Sequence, residues 1–393
     1  MGSAAAYHLA RRGLRVLGLE RFGPVHDQGS SSGGSRLIRQ ACYEDPAYLP
    51  LMRRSYELWR ELEACSGETL LLDTGALLLG APDCPMVAGA LGVAAEFELD
   101  HEVLTASAVR RRFPTLAPSE ETVAYFEPAA GVLRPENAVA THLQLADFAG
   151  ADLHFFEPVC DWRGDGLAGV TVRTWAGTYS AARLVICPGA WAPGILGDLS
   201  VPFNPQRVVV TRFQPQSGIT PFLPDRHPFW VWDTGTSSRL GFAGFLYGSP
   251  ALDGPNGGVK LTRVDEQPCM AETVDRAIAD DELDQVAAAL RPHLAVELGP
   301  VVEARVCMWT NTPDHHFVLG PHPDHPDVII GAGCSGHAFK YLPAIGEILA
   351  DFVMDGKTAH SVELFDPGRQ AGRGASGRLP ETKLRSPSTT SGS

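Results

Sequence analysis

Several residues of this 393-residue chain have the types and spacing for chemistry. Arg36 and Arg39 follow a Ser/Gly loop, residues 27–39, DQGSSSGGSRLIR. Two guanidiniums can hold a carboxylate bidentately, and three positions apart places them on one face if a helix starts there. The same loop also reads as a flexible segment with two solvated arginines. Lys260 stands in an otherwise charge-poor strand, Gly257 to Leu261. Such a lysine is an edge or snorkelling residue, or alternatively an ammonium facing a pocket. Cys307 lies between apolar neighbours and reads as a small buried hydrophobe. Paired with His315 it would be a thiol nucleophile and base, but nothing in the sequence orients that pair. Finally, Val328-Ile329-Ile330 runs into Gly331-Ala332-Gly333-Cys334-Ser335-Gly336 and then Ala338-Phe339-Lys340. This predicts a buried strand, a tight glycine turn and a helix N-terminus, whose free N–H groups attract an anionic or electron-rich ligand atom. Glycines at this spacing also serve ordinary turns and close helix packing.

These residues need elements to hold them. Met1 to Ala10 predicts a helix stopped near Gly13, and Leu14 to Glu20 a strand ending in an acid. A helix and a strand with a terminal acid roughly 20 residues past a glycine form the second half of a dinucleotide-binding βαβ unit, in which the acid takes the ribose hydroxyls. Only the last glycine of that fingerprint, Gly2, is in the sequence, so a first strand is expected to be missing from the sheet. Tyr48 to Ala64 is an amphipathic helix and Thr69 to Leu79 a strand with Gly75 inside. After a mixed region, Pro135 to Phe148 predicts a helix, Asp152 to Phe156 a strand, Gly164-Asp165-Gly166 a hairpin and Gly169 to Thr174 another strand. Arg183 to Cys187 is an apolar strand halted at Pro188-Gly189-Ala190-Trp191. Between Pro202 and about Pro300 the pattern turns to strands and aromatics, including Gly241 to Phe245, with one helix at Asp280 to Leu290. Helix and strand alternation that returns after a β-rich insertion indicates a discontinuous first domain.

Composition narrows the classes of function. Lys and Arg total 32 against 46 Asp and Glu, a net charge of −14. An acidic chain without a basic run repels phosphate backbones, which argues against nucleic acid as a partner. The eight cysteines are scattered singly, as expected of free thiols in a reducing compartment. No apolar run approaches the ~20 residues of a membrane span, so a cytoplasmic protein without membrane association is expected.

Taken together, the segments GSAAAYHLARRG, LERFGPVHDQGSSSGGSRLIR, FEPAAGVLRPENA, LVICPGAW and VCMWTNTPDHHFVLGPHPDHPDVIIGAGCSGHAFK resemble the monomeric sarcosine oxidase and N-methyltryptophan oxidase group of flavoproteins, within the D-amino-acid-oxidase-like fold. The resemblance runs from Gly2 to about Phe365. It implies an α/β protein with a discontinuous Rossmann-like FAD-binding domain, its first strand missing, over 1–80, 140–201 and 301–366. A β-rich α+β substrate domain would cover 81–139 and 202–300, and a disordered tail 367–393. The cofactor implied is FAD, attached covalently through Cys307. Gly2, Glu20, Arg21, Ser31, Ser32, Gly189, Trp191, Gly331, Gly333, Ser335, Gly336 and His337 would bind it. Arg39 and Lys340 would clamp a substrate carboxylate, Lys260 would serve the reaction with O2, and Arg36 would lie beside the flavin ring. Three positions depart from sarcosine oxidase: Ser32 and Val264 replace histidines and Leu240 replaces a tyrosine, which favours a larger or more apolar secondary amine. The implied enzyme is a monomeric amine oxidase that turns an N-methyl or cyclic amino acid into an imine and O2 into H2O2. A truncated, non-catalytic relative that binds amino-acid-like ligands with little or no flavin is the alternative.

Overall fold

The computed structural model describes residues 1–164, 169–235 and 242–370. Residues 165 and 166 of the expected hairpin, Gly241, Leu240 and the tail beyond 370 lie outside the described residues.

Helix α1 (Gly2–Arg11) precedes strands β1 (Leu17–Leu19) and β2 (Arg36–Ile38). Helix α2 (Leu49–Ser66) follows and stops at Gly67, whose φ of 77° gives it a left-handed cap. Next come β3 (Leu71–Leu72), β4 (Ala76–Gly80), α3 (Pro85–Phe97), β5 (Glu102–Thr105), α4 (Ala106–Arg112), β6 (Val123–Glu127), β7 (Gly131–Leu133) and α5 (Pro135–Phe148). The middle of the chain forms β8 (Asp152–His154), β9 (Val159–Gly164), β10 (Val170–Thr174), β11 (Thr178–Ala181), β12 (Leu184–Ile186) and the short α6 (Ala192–Ile195). The last part contains β13 (Asn204–Phe213), β14 (Phe229–Trp232), β15 (Leu246–Gly248), β16 (Val259–Arg263), β17 (Gln267–Pro268), α7 (Asp280–Leu290), β18 (Val301–Asn311), β19 (Val318–Pro321), β20 (Val328–Ala332) and α8 (Leu342–Asp355).

Two parallel ladders carry the nucleotide-type part. Strand β1 pairs with β8, Leu17 opposite Asp152, and β12 pairs with β20, Leu184 opposite Val328. Among the described residues they are separate ladders, and β19 adds to β20 antiparallel. Helix α1 packs on α5, α8 and β12. Its contact with α8 is close because Gly346 has no side chain: a Cβ there would stand 2.7 Å from the backbone carbon of Ala4. Helix α8 is buried over most of its surface and apolar there, with Glu347, Asp351 and Asp355 forming one polar stripe along it.

A nine-stranded sheet forms the other layer, in the order β17-β13-β16-β15-β14-β4-β6-β5 with β18 also on β13. Strands β4 and β18 thus belong to this sheet although both fall inside segments expected for the cofactor domain. Its two faces bury separate apolar cores, one around Trp230, Phe213 and Leu290 and the other around Tyr125, Val87 and Phe245.

Local expectations are corrected in several places. Arg36 lies in strand β2 and not in a helix, so Arg36 and Arg39 do not share a face. The strand expected over Thr69 to Leu79 is two strands, broken at Gly75 with φ 70°. Of the expected strand Gly241 to Phe245, the described part forms a turn ahead of β15. The glycine segment does not run straight into an α-helix. Gly331 is still inside β20, residues 333–338 form a turn, a 3₁₀ turn spans Phe339–Tyr341, and α8 begins at Leu342.

Candidate active site

The spine of the site is β13. Cys307 on β18 stands opposite Val208, and Lys260 on β16 stands opposite Arg212. Val208, Val210 and Arg212 alternate onto one face of the sheet, so Cys307 and Lys260 share that face on flanking strands. The Ser30–Arg36 loop lies across it. Ser32 Oγ is 3.8 Å from Cys307 Sγ, and Lys260 Nζ donates to the Ser35 carbonyl at 3.0 Å. Lys260 is only 4% exposed and inside the sheet, which corrects the edge-residue reading. Burial is the main force pushing its pKa well below that of a free lysine, and the Arg36 guanidinium adds to it.

Arg36 binds the loop to itself. Its guanidinium donates to the carbonyls of Ser30 and Ser32, both at 2.6 Å, and of Ser35 at 2.8 Å. It also lies 5.8 Å from the ring centroid of Phe339, the neighbour of Lys340. The Ser30 hydroxyl donates to the carbonyl of Met308, the residue after Cys307. Ser31 is half-buried in this loop.

Beside this face is a second cluster with a residue that sequence reasoning missed. Glu44 Oε1 is 2.7 Å from Arg39 Nη2, 3.5 Å from Lys340 Nζ and 3.8 Å from His337 Nδ1. Burial opposes ionisation of Glu44, but Arg39, Lys340 and His337 outweigh it and hold the carboxyl far below the usual range. Lys340 is pushed down by burial first, with Glu44 opposing. Burial likewise lowers His337 to about 3, so it is neutral at physiological pH. Lys340 Nζ donates to the His337 carbonyl at 2.9 Å, and Trp59 Nε1 to the Lys340 carbonyl at 2.9 Å, which fixes the turn onto α2. Three buried atoms here lack a hydrogen-bond partner among the described residues: Arg39 Nε, Glu44 Oε2 and His337 Nδ1. Buried polar atoms are rarely left unpaired, and three in one place could hold a polar ligand. The only sequence signal for Glu44 was a carboxylate five positions after Arg39.

The glycine segment has mixed roles. Ser335 is fully buried and its hydroxyl is taken up by the Gly333 carbonyl, the Thr312 N–H and the Thr312 hydroxyl. Gly333 and Gly336 have φ of 65° and 74° and lie against Thr312 and the Trp309 ring. Gly331 lies against Leu349 and Cys187, so its lack of a side chain serves packing inside the strand, not a turn. His337 Nε2 is 3.0 Å from the His315 carbonyl.

Near Glu20 the arrangement suits a nucleotide. Glu20 accepts from the Phe22 N–H at 2.9 Å and faces His26 at 3.5 Å. The Arg21 guanidinium lies 5.5 Å from the ring centroid of Trp191, whose buried Nε1 has no hydrogen-bond partner among the described residues. Gly189 has φ 55°, and nothing lies within 4 Å of where its Cβ would stand. Gly2 opens α1 at the end of β12, its Cβ position 3.6 Å from Cys187 Cβ. An unpartnered indole N–H, an open glycine at a strand end and an acid at the end of β1 fit FAD. Glu20, Arg21 and Trp191 would hold its adenosine part, and the Ser30–Arg36 loop with Cys307 its ring.

Two other groupings bear on chemistry. Cys307 has Ser32 against its sulfur, and no hydrogen bond joins it to His315 among the described residues, so the thiol–histidine reading lacks support. Asp198, His322 and His325 could surround a metal. However, His322 Nδ1 accepts from the Asp324 N–H at 3.2 Å, so Nε2 carries the proton and donates to Asp198 at 3.1 Å. A ligating histidine has the opposite arrangement, its second nitrogen donating.

Comparison with known proteins places the chain in a family. The family of FAD dependent oxidoreductases matches residues 1–352. Monomeric sarcosine oxidase of Streptomyces avermitilis is 49% identical over 373 residues, covering 94% of this chain and 95% of that protein. N-methyl-L-tryptophan oxidase of Salmonella heidelberg is 32% identical, covering 91% and 93%. The solved structure of NikD, described as an unusual amino acid oxidase essential for nikkomycin biosynthesis, superposes with a TM-score of 0.81 at 25% identity, covering 93% and 94%. The fold and site thus define a flavin-dependent oxidoreductase. Within that class the chain belongs to the FAD-dependent amine-oxidising family that includes the monomeric sarcosine oxidases and N-methyltryptophan oxidases. No helix among the described residues is long and apolar enough to cross a membrane.

Proposed function

We propose that the protein oxidises a secondary amino acid, N-methylated or cyclic, to an imine while reducing O2 to H2O2. The observation that carries this reading is the pair of buried cations, Arg39 and Lys340, meeting at one carboxylate beside three unpartnered polar atoms. The substrate carboxylate would bind between them, and Glu44 would keep the net charge of the pair and its acid at plus one. FAD would supply the acceptor for the two electrons leaving the amine and return them to O2. Desolvation beside two cations lowers the amine pKa, so the substrate binds as the free amine and no general base is required. Arg36 would sit beside the ring, and Lys260 would present its ammonium to the negative charge that develops on oxygen. Cys307 would anchor the ring covalently.

The departures at Ser32 and Val264 support a less polar substrate than sarcosine. Val264 is buried among Phe245, Phe242 and Trp309, and Ser32 lies against the thiol. The division of labour between a cofactor domain and a substrate domain is part of the proposal, with β4 and β18 on the substrate side. So is action as a monomer.

The test has two parts. Acid precipitation should leave flavin absorbance in the pellet, and N-methyl and cyclic amino acids should give peroxide. A colourless protein that yields no peroxide with any of them would refute the proposal and favour a non-catalytic ligand binder.

A further inference from the structure

Lys260 and Arg36 depend on three carbonyls of one loop, and that loop has its own fastening. Gly33 and Gly34 have φ of 100° and 77°, and the turn they form aims both N–H groups at one point. Such a pair of N–H groups makes an anion-binding concavity. Here a side chain of the chain itself fills it. Glu136, in the first turn of α5, accepts from the Gly33 N–H at 2.7 Å through Oε1 and from the Gly34 N–H at 3.0 Å and 3.2 Å through its two oxygens. A side chain at Gly34 would be strained by its φ of 77° and would displace the Arg212 guanidinium.

We propose that Glu136 is a positioning residue for the oxygen-reacting side of the site: its carboxylate holds the Gly33–Gly34 turn, the turn sets the Ser35 carbonyl, and that carbonyl sets Lys260 Nζ. The inference rests on the role proposed above for Lys260. Loop N–H groups face an acid while loop carbonyls face two cations, so the segment is held from both sides. A carboxylate is preferred over an amide because its charge favours the ammonium of Lys260 against burial, Arg36 and Arg212, while Cys307 acts in the same direction as Glu136. Tyr247 covers the remaining side, its ring centroid 5.4 Å from Nζ.

The test compares Glu136→Ala and Glu136→Gln with the wild-type protein. Amide hydrogen exchange over residues 30–36 should accelerate in Glu136→Ala while exchange in α8 stays unchanged. In steady state, kcat/KM for oxygen should fall by about 10- to 100-fold, the cost of misplacing a catalytic group by about 1 Å. The kcat/KM for the amine should fall by less, because Glu44 and not this loop holds the Arg39–Lys340 clamp. Glu136→Gln keeps one acceptor but loses the charge. Its oxygen-dependent rate should decline with rising pH at least about half a unit earlier than in the wild type, because the ammonium loses a favourable neighbour. Unchanged exchange over 30–36, or parallel loss of both kcat/KM values with no pH shift in Glu136→Gln, would overturn the proposal. If the wild-type protein consumes no oxygen with any amine, the functional reading fails instead, and the exchange measurement still decides whether Glu136 holds the loop.

Discussion

Replacing Glu44 by glutamine tests the carboxylate clamp most directly. With an effective dielectric of about 20, a unit charge pair at the 2.7 Å and 3.5 Å separations of Glu44 from Arg39 and Lys340 interacts by roughly 5–6 kcal/mol each before desolvation is counted. Removing the acid therefore leaves two buried cations uncompensated, and loss of one partner of a buried ion pair costs about 3–5 kcal/mol. A ligand carboxylate can restore that compensation. In the wild type such a ligand is repelled by Glu44, and at about 5 Å this amounts to about 3 kcal/mol, which solvent and side-chain movement reduce to as little as about a third. Glu44→Gln should accordingly melt at lower temperature without ligand, regain much of the loss with acetate or N-methyl amino acids, and bind those carboxylates about 5- to 100-fold tighter. Thermal melting across a carboxylate titration measures both quantities. If Glu44→Gln binds carboxylates no more tightly than the wild type, or ligand restores nothing, Arg39 and Lys340 do not form the carboxylate site.

Three further outcomes are expected. Lys260→Met should slow oxygen consumption by about 10²-fold or more, the order lost with one preorganised charge donor, while anaerobic bleaching of the flavin by substrate is largely preserved; rapid-mixing absorbance separates the two. Gly346→Ala should push α1 from α8, destabilise the fold by about 1–3 kcal/mol in chemical denaturation and weaken retention of the nucleotide part. The buried histidines His8, His227 and His337, lowered by burial to about 3, and His142, lowered to about 4, are neutral in the fold. Their folded pKa lies below the unfolded value, so the unfolded chain binds more protons between these limits. Stability should be complete above about pH 6.5 and decline as pH falls towards 3–4, by up to about 1.4 kcal/mol per pH unit for each histidine; a pH series of denaturation midpoints measures the slope.

Much of this protein could be read from its residues in order. Periodicity located α2, α5, α7 and the apolar strand at β12, because burial of one face repeats every 3.6 or 2 residues whatever the surroundings. Residue type marked Arg39, Lys340, Lys260 and Cys307 as groups worth explaining, and the glycine run marked a place where the backbone must turn. Glu44, Glu127 and Glu136 were not legible, since a lone acid in a loop, at a strand end or in a first helical turn has no periodic signature. Glu127 is buried and accepts from the N–H groups of Gln40 and Ala41, next to Arg39. Tertiary structure alone decided that Glu44 meets Lys340 as well as Arg39, and that Glu127 and Glu136 meet backbone N–H groups, because those partners come from segments up to about 300 residues apart. It also decided that Arg36 begins a strand, that Lys260 is central and not at an edge, and that the Gly331 end of the glycine run belongs to β20. Sequence supplies the charges and the turns; only long-range packing fixes the low-dielectric neighbourhood in which two cations and one acid become a site.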